Sequence, residues 1–177
     1  FKKNNNKNDF FIYAGRISSE KGVEKLIESF ENSNLQNIKL KIVGVGPQLP
    51  FLKNKYLEKN NIEFLGFLEN KKVLDLIHNS MAVITATKLY EGQPTILCEA
   101  SSIGIPSIFP KTGGISEFFP KNYQFSFKQF DYEDLTSKIK GIYKANDQDE
   151  IGLKNKRFLD NIVGEKELRN LYKGIFK

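Results

Sequence analysis

Two glutamates eight positions apart, Glu91 and Glu99, stand in the stretch of this sequence with the clearest chemical content, Thr85 to Pro106. A buried strand is expected to end at Thr85, a loop then carries Glu91, and a helix opening near Pro94 carries Glu99. A helix start offers free N–H groups and the positive end of the helix dipole, which suits a phosphate. Paired acid/base hydrolysis is disfavoured. If all eight steps were helical, the carboxylates would stand about 12 Å apart along the axis, beyond the roughly 5 to 9.5 Å that glycoside hydrolysis uses. A second candidate follows the first apolar run, where the chain turns at Gly15 and brings Arg16 and Lys21 to a strand end. A diphosphate there would meet Arg16 as a fork of donors and Lys21 as a point charge; the plainer reading is a solvated loop. A third loop, Gly44-Val45-Gly46-Pro47, invites comparison with the dinucleotide fingerprint, and Glu63 lies near the distance expected of a ribose-binding acid. Its third glycine position holds Leu49, and Pro47 fits the first residue of a helix, so a nicotinamide cofactor is disfavoured.

The elements that must position these loops alternate. Strands are expected at Phe10 to Ala14, Ile38 to Val43, Ile62 to Leu65, Ala82 to Thr85, Ser107 to Phe109 and, more weakly, Tyr123 to Phe127. Most are near-continuously apolar, as parallel strands buried on both faces are. Helices are expected at Glu20 to Glu31, Pro47 to Lys59, Asn70 to Asn79, Pro94 to Ile103 and Asp131 to Lys144. In the first, Val23, Leu26, Ile27 and Phe30 form a single core-facing stripe. The order predicts an α/β fold, a doubly wound parallel sheet of Rossmann-like type, with ligands at the carboxyl ends of the strands. One domain over residues 1–177 is expected, with 1–9 as a disordered segment or linker and 147–177 as C-terminal helices, including Glu165 to Phe176.

Composition closes off several classes. Hydrophobic residues at 40% and charged residues at 27% are ordinary globular usage. The single cysteine, Cys98, cannot form an internal disulfide, which fits a reducing cytoplasm; it is read as a small core residue. The formal charge is +6, yet only three of the 27 basic residues are arginine, and no RNA-binding aromatic pattern accompanies them. Base-edge readers lean on Arg, so nucleic acid is not the expected partner. No apolar run reaches spanning length, so any membrane contact would be peripheral. His78 has no cysteine or second histidine nearby and is read as structural, with no metal site expected. The chain starts with Phe1 rather than Met and reads as a piece of something longer.

Glu91 to Glu99 forms an E-x7-E motif. With Gly15-Arg16, Lys21-Gly22, Gly44-Val45-Gly46-Pro47 and Gly113-Gly114-Ile115, it resembles the C-terminal domain of GT-B-fold retaining glycosyltransferases, family 4. The order and spacing match over nearly the whole chain. The resemblance implies a donor domain for a nucleoside-diphosphate sugar in cell-envelope polysaccharide or glycolipid synthesis. Arg16 and Lys21 would bind the diphosphate, and Glu99 the ribose hydroxyls. Glu91 would be the catalytic carboxylate beside the transferred sugar. Gly92, Gln93, Pro94, Thr95 and Ile96 would offer groups to sugar and phosphate. Gly15 and Gly44 would line the donor site, and Gly66, Phe67 and Leu68 would touch the base. No cofactor or metal is implied, and an acceptor saccharide or lipid-linked sugar would be held by an absent N-terminal domain. The alternative is a non-catalytic sugar-nucleotide-binding module. Three residues depart from the family pattern: Gln93, Thr85 and Ser116. A polar Gln93 beside the sugar would alter which donor hydroxyls are accepted.

Overall fold

The computed structural model describes residues 9–163. Six parallel strands form one sheet in the order β3-β2-β1-β4-β5-β6. They are β1 (Phe10–Ala14), β2 (Lys39–Val43), β3 (Ile62–Gly66), β4 (Val83–Ile84), β5 (Ser107–Lys111) and β6 (Ser126–Lys128). The helices are α1 (Val23–Ser33), α2 (Leu49–Lys55), α3 (Asn70–His78), α4 (Thr95–Ser102), α5 (Tyr132–Lys144) and α6 (Gln148–Val163). Two short 3-10 turns, Ser19–Lys21 and Ile115–Phe118, interrupt the loops. The expected doubly wound α/β architecture is therefore present.

Why these segments become a two-faced sheet is visible in β1. Phe11 and Ile12 are neighbours in sequence, and neither has any exposed surface. Adjacent strand residues face opposite sides. Phe11 joins the core with Val23, Leu26, Ile27 and Phe30 of α1 and Leu135, Ile139 and Ile142 of α5. Ile12 joins the other core, with Val73 and Ile77 of α3 and Leu97 and Ala100 of α4. Each such side chain fully removed from water stabilises by about 1.5–3 kcal/mol. β1 thus sits at the centre, paired with β2 on one side and β4 on the other.

The main departures from expectation have local causes. β4 is only two residues long, and Thr85 follows it rather than ending it. α1 starts at Val23, not Glu20, because the chain first makes the 3-10 turn and passes Gly22 at φ 67. Pro47 is not helical: the proline in the first turn of α2 is Pro50, and the helix stops at Lys55 rather than Lys59. The sixth strand starts three residues later than expected and ends one later, because Tyr123 is in a turn where its N–H bonds to the carbonyl of Pro120. Its ring stacks on Phe109 at 5.5 Å, and its hydroxyl donates to the Ser107 carbonyl at 2.8 Å. The first part of the expected C-terminal helical region is α6, which packs on α4 with Gly152 against Gly104. The expected linker over residues 1–9 and helix over Glu165 to Phe176 fall, but for Asp9, outside the described residues.

Candidate functional site

The strand order reverses between β1 and β4, and the loops leaving their carboxyl ends splay apart there, the position where doubly wound sheets hold ligands. A cleft of two lobes occupies this edge. The first, about 230 Å³, is lined by Gly15, Arg16, Lys21, Thr85, Thr87, Glu91 and the start of α4 from Gln93 to Leu97. The second, about 450 Å³, is lined mainly by apolar groups, among them Val45, Pro47, Phe67, Leu68 and Val73, with Gly44 at its back. Ala14, Gly15 and Arg16 border both. Arg16 is exposed and stands at the junction.

Backbone bonds carry the sheet's order into these loops. The N–H of Gly15 bonds to the Val43 carbonyl at 3.0 Å, and that of Gly44 to the Gly66 carbonyl at 2.7 Å. A Cβ on Gly44 would run into the carbonyl oxygen of Gly15, so only glycine lets these two turns lie against each other. Tyr13, buried beneath the first loop, donates its hydroxyl to the Arg16 carbonyl at 2.7 Å. Burial pushes that hydroxyl's pKa well up, and the nearby Glu91 and Glu20 add to the effect, so it remains a donor.

The first lobe contains a carboxylate held from two sides. Lys21 Nζ lies 2.6 Å from Glu91 Oε1, and the Thr87 hydroxyl donates to the same oxygen at 2.9 Å. Burial alone would raise the Glu91 pKa. The hydrogen bonds from Lys21 and Thr87, with the charge of Lys21, outweigh it and hold the carboxyl below its ordinary value. The loop is fixed from outside as well. The Lys88 N–H bonds to the Glu20 carbonyl at 2.8 Å, the Thr112 hydroxyl to the Leu89 carbonyl at 3.2 Å, and the Gly114 N–H to the Glu91 carbonyl at 2.9 Å. Gly113 and Gly114 form a tight turn that packs against the backbone of Glu91 and Gly92. Within the first turn of α4, the N–H groups of Thr95, Leu97 and Cys98 bond to the carbonyls of Gln93 and Pro94, and that of Ile96 has no backbone acceptor among the described residues.

Most of the residues singled out from sequence therefore meet at one edge, but three line neither lobe: Gly66, Gly92 and Glu99. Gly66, at φ 69, turns the chain out of β3. Glu99 is half-buried in α4 and accepts from the Asn70 side-chain amide, the first residue of α3, at 3.3 Å. Glu91 precedes α4, so the eight-residue spacing is helical only in its second half, and the two carboxylates face different neighbours. Cys98 is partly exposed rather than a core residue, and burial together with Glu99 pushes its thiol pKa up. Among the described residues no group of three His, Cys, Asp or Glu side chains is disposed to hold a metal ion. Sequence reasoning passed over Tyr13 and Thr87, which bond to groups three and four residues on, and Asn70, which reaches from α3 to α4. For Thr87 the available signal was a hydroxyl four residues before a carboxylate in a loop.

The sequence profile of "Glycosyl transferases group 1" matches residues 1–157. The chain belongs to that family. Among curated relatives of this glycosyltransferase domain, Protein CapJ of Staphylococcus aureus is 30% identical over 166 residues, covering 89% of this chain and 41% of that protein. The putative teichuronic acid biosynthesis glycosyltransferase TuaC of Bacillus subtilis is 31% identical over 118 residues, covering 66% of this chain and 28% of that protein. The chain thus spans less than half the length of either. Among solved structures, the pneumococcal O-GlcNAc transferase GtfA, in complex with UDP and GlcNAc, superposes with a TM-score of 0.80 at 17% identity, covering 96% of this chain and 35% of that one. The catalytic domain of a cholesterol-alpha-glucosyltransferase from Helicobacter pylori superposes with a TM-score of 0.73 at 20% identity, covering 86% of this chain and 98% of that one. The fold is that of these glycosyltransferase structures.

Proposed function

We propose that this domain binds the nucleoside-diphosphate sugar for a retaining transferase of family 4, active in cell-envelope polysaccharide or glycolipid synthesis. The observation that carries the reading is the two-lobed cleft with Arg16 at its waist. A nucleotide sugar has the same division: an apolar base, an anionic diphosphate and a hydroxylated sugar. The base fits the apolar lobe against Phe67 and Leu68. The diphosphate lies over Arg16 and the Ile96 N–H at the start of α4, where a fork of donors and a helix end both favour anions. The sugar enters the smaller lobe beside Glu91 and Gln93, and Glu99 with Asn70 receives the ribose from α4 and α3.

Charge on the departing diphosphate is offset by Arg16, Lys21 and the α4 terminus, which is why we propose no metal or cofactor. Glu91 is the carboxylate nearest the sugar lobe's cation, and it stabilises positive charge that develops on the glycosyl group. The acceptor saccharide or lipid-linked sugar is taken by a second domain, with the cleft closing over the donor. Relatives named as glycosyltransferases favour this over a non-catalytic sugar-nucleotide-binding module. We place the reaction in the cytoplasm, with peripheral membrane contact through surface lysines. Among the described residues no helix is long and apolar enough to cross a membrane.

The deciding experiment is a thermal-shift and calorimetry panel of UDP, GDP and ADP, each free and as its hexose conjugate. One base series should raise the melting temperature in a concentration-dependent way. No stabilisation by any of them would sink the donor-domain reading.

A further inference from the structure

Glu91 is gripped asymmetrically. Oε1 receives both Lys21 Nζ and the Thr87 hydroxyl, and Oε2 receives neither. The terminal torsion of a glutamate is soft, so an unheld carboxylate would sample many planes. The two grips differ in kind. Lys21 is a cation on a flexible stem with 30% of its side chain exposed, and it lines the lobe into which a diphosphate's charge would project. Thr87 is only 6% exposed and is held by hydrogen bonds at both its side chain and its backbone. Its hydroxyl oxygen accepts the Leu89 N–H at 3.2 Å, and its carbonyl accepts the Gln129 side-chain amide at 3.5 Å. The charge of an incoming diphosphate draws the flexible, partly exposed Lys21 cation more strongly than it draws a neutral, buried hydroxyl that already donates to Glu91.

We propose that Thr87 is the positioning residue of the site: its hydroxyl holds Oε1 of Glu91 once a diphosphate draws Lys21 away, so that Oε2 stays turned toward the donor sugar. The inference rests on the reading of Glu91 as the sugar-side carboxylate. It makes the hydroxyl, not the methyl, the part of Thr87 that matters.

Thr87→Val keeps the shape and removes the hydroxyl; Thr87→Ser keeps the hydroxyl and guards against misreading a folding defect. In the full-length transferase carrying this domain, Thr87→Val should lower kcat roughly 10-fold or more, the scale of a hydrogen bond to a charged group. Donor KM and nucleoside-diphosphate affinity should stay within about twofold, because the interaction acts on orientation rather than on binding. Thr87→Ser should recover most of the loss. In this chain alone, the Glu91 carboxyl followed by NMR across pH should titrate higher in Thr87→Val and as in the parent in Thr87→Ser. An unmoved Glu91 titration in Thr87→Val overturns the inference at its base. A raised titration with unchanged turnover also overturns it, since the hydroxyl then holds Glu91 without positioning it for transfer; Glu91→Gln in the same transferase separates the two failures, because unchanged turnover there would remove the reading of Glu91 as the sugar-side carboxylate.

Discussion

Lys21 and Glu91, 70 residues apart in sequence, meet at 2.6 Å between Nζ and Oε1. The pair joins the loop after β1 to the loop after β4 across the point where the strand order reverses. One of the two cations expected to receive a diphosphate is thus already occupied by the carboxylate expected to receive the sugar. The free domain carries its own counter-ion for Lys21.

On the proposed reading, nucleotide displaces Glu91 from Lys21. Glu91→Gln frees the lysine and removes a negative charge from the lobe, so it should tighten nucleoside-diphosphate binding roughly two- to fivefold, the range of a partly exposed ion pair. Calorimetry on the two forms reads this directly. Weaker binding by Glu91→Gln would mean that the carboxylate itself holds the nucleotide.

Arg16 and Lys21 should be unequal. Arg16 is exposed and enters no ion pair among the described residues. Arg16→Ala should cost roughly 10- to 150-fold in nucleoside-diphosphate affinity, the loss of one charge-assisted contact. Lys21→Ala should cost less, since the parent lysine must first leave Glu91. Equal losses in the two variants would show that the ion pair does not compete with nucleotide.

The same pair sets a pH dependence. The Glu91 pKa is held below its ordinary value of 4.5 when the chain is folded. The folded form then binds its proton less readily than the unfolded chain, so the stabilisation is fully present above 4.5 and is lost as pH falls through the lowered value. With 30% and 24% of the two side chains exposed, its size is about 0.2–1 kcal/mol. Urea unfolding should find the parent more stable than Glu91→Gln at pH 7, with the gap shrinking as pH falls below 4.5. A gap that does not shrink in acid would trace to packing rather than to charge.

Gly113 should tolerate no side chain. It sits at φ 56, and a Cβ there would strike the Glu91 carbonyl oxygen. Gly113→Ala should cost roughly 1–3 kcal/mol in stability and displace the Glu91 loop. At Gly114 an added Cβ meets the Gly92 carbonyl oxygen at 3.3 Å with φ −87, so Gly114→Ala should cost less. Melting temperatures of the two variants give the comparison, and a reversed order would refute this account of the turn.

The alternating apolar runs by themselves determined the sheet, its parallel sense and the edge where ligands belong. A strand such as Phe10 to Ala14, apolar without interruption, can be satisfied only between two layers of helices. Gly15, Arg16, Lys21 and Glu91 were legible for a related reason: they lie just beyond strand ends, where a doubly wound sheet places its chemistry. Ends of elements were less legible, as with β6, because the turn at Tyr123 is held by bonds to Ser107 that no local pattern announces. Which groups touch was decided by tertiary structure alone. The periodicity of a helix says nothing about Glu91, which is held in a loop by Thr87 of the same loop and by Lys21 and the Gly113-Gly114 turn from two other crossovers. Glu99, on regular helix, is met by Asn70 only because α3 and α4 share one face of the sheet. Local sequence fixes where backbone runs straight and where it turns; pairing between side chains on separate loops depends on how far apart the sheet's twist and strand order set those loops.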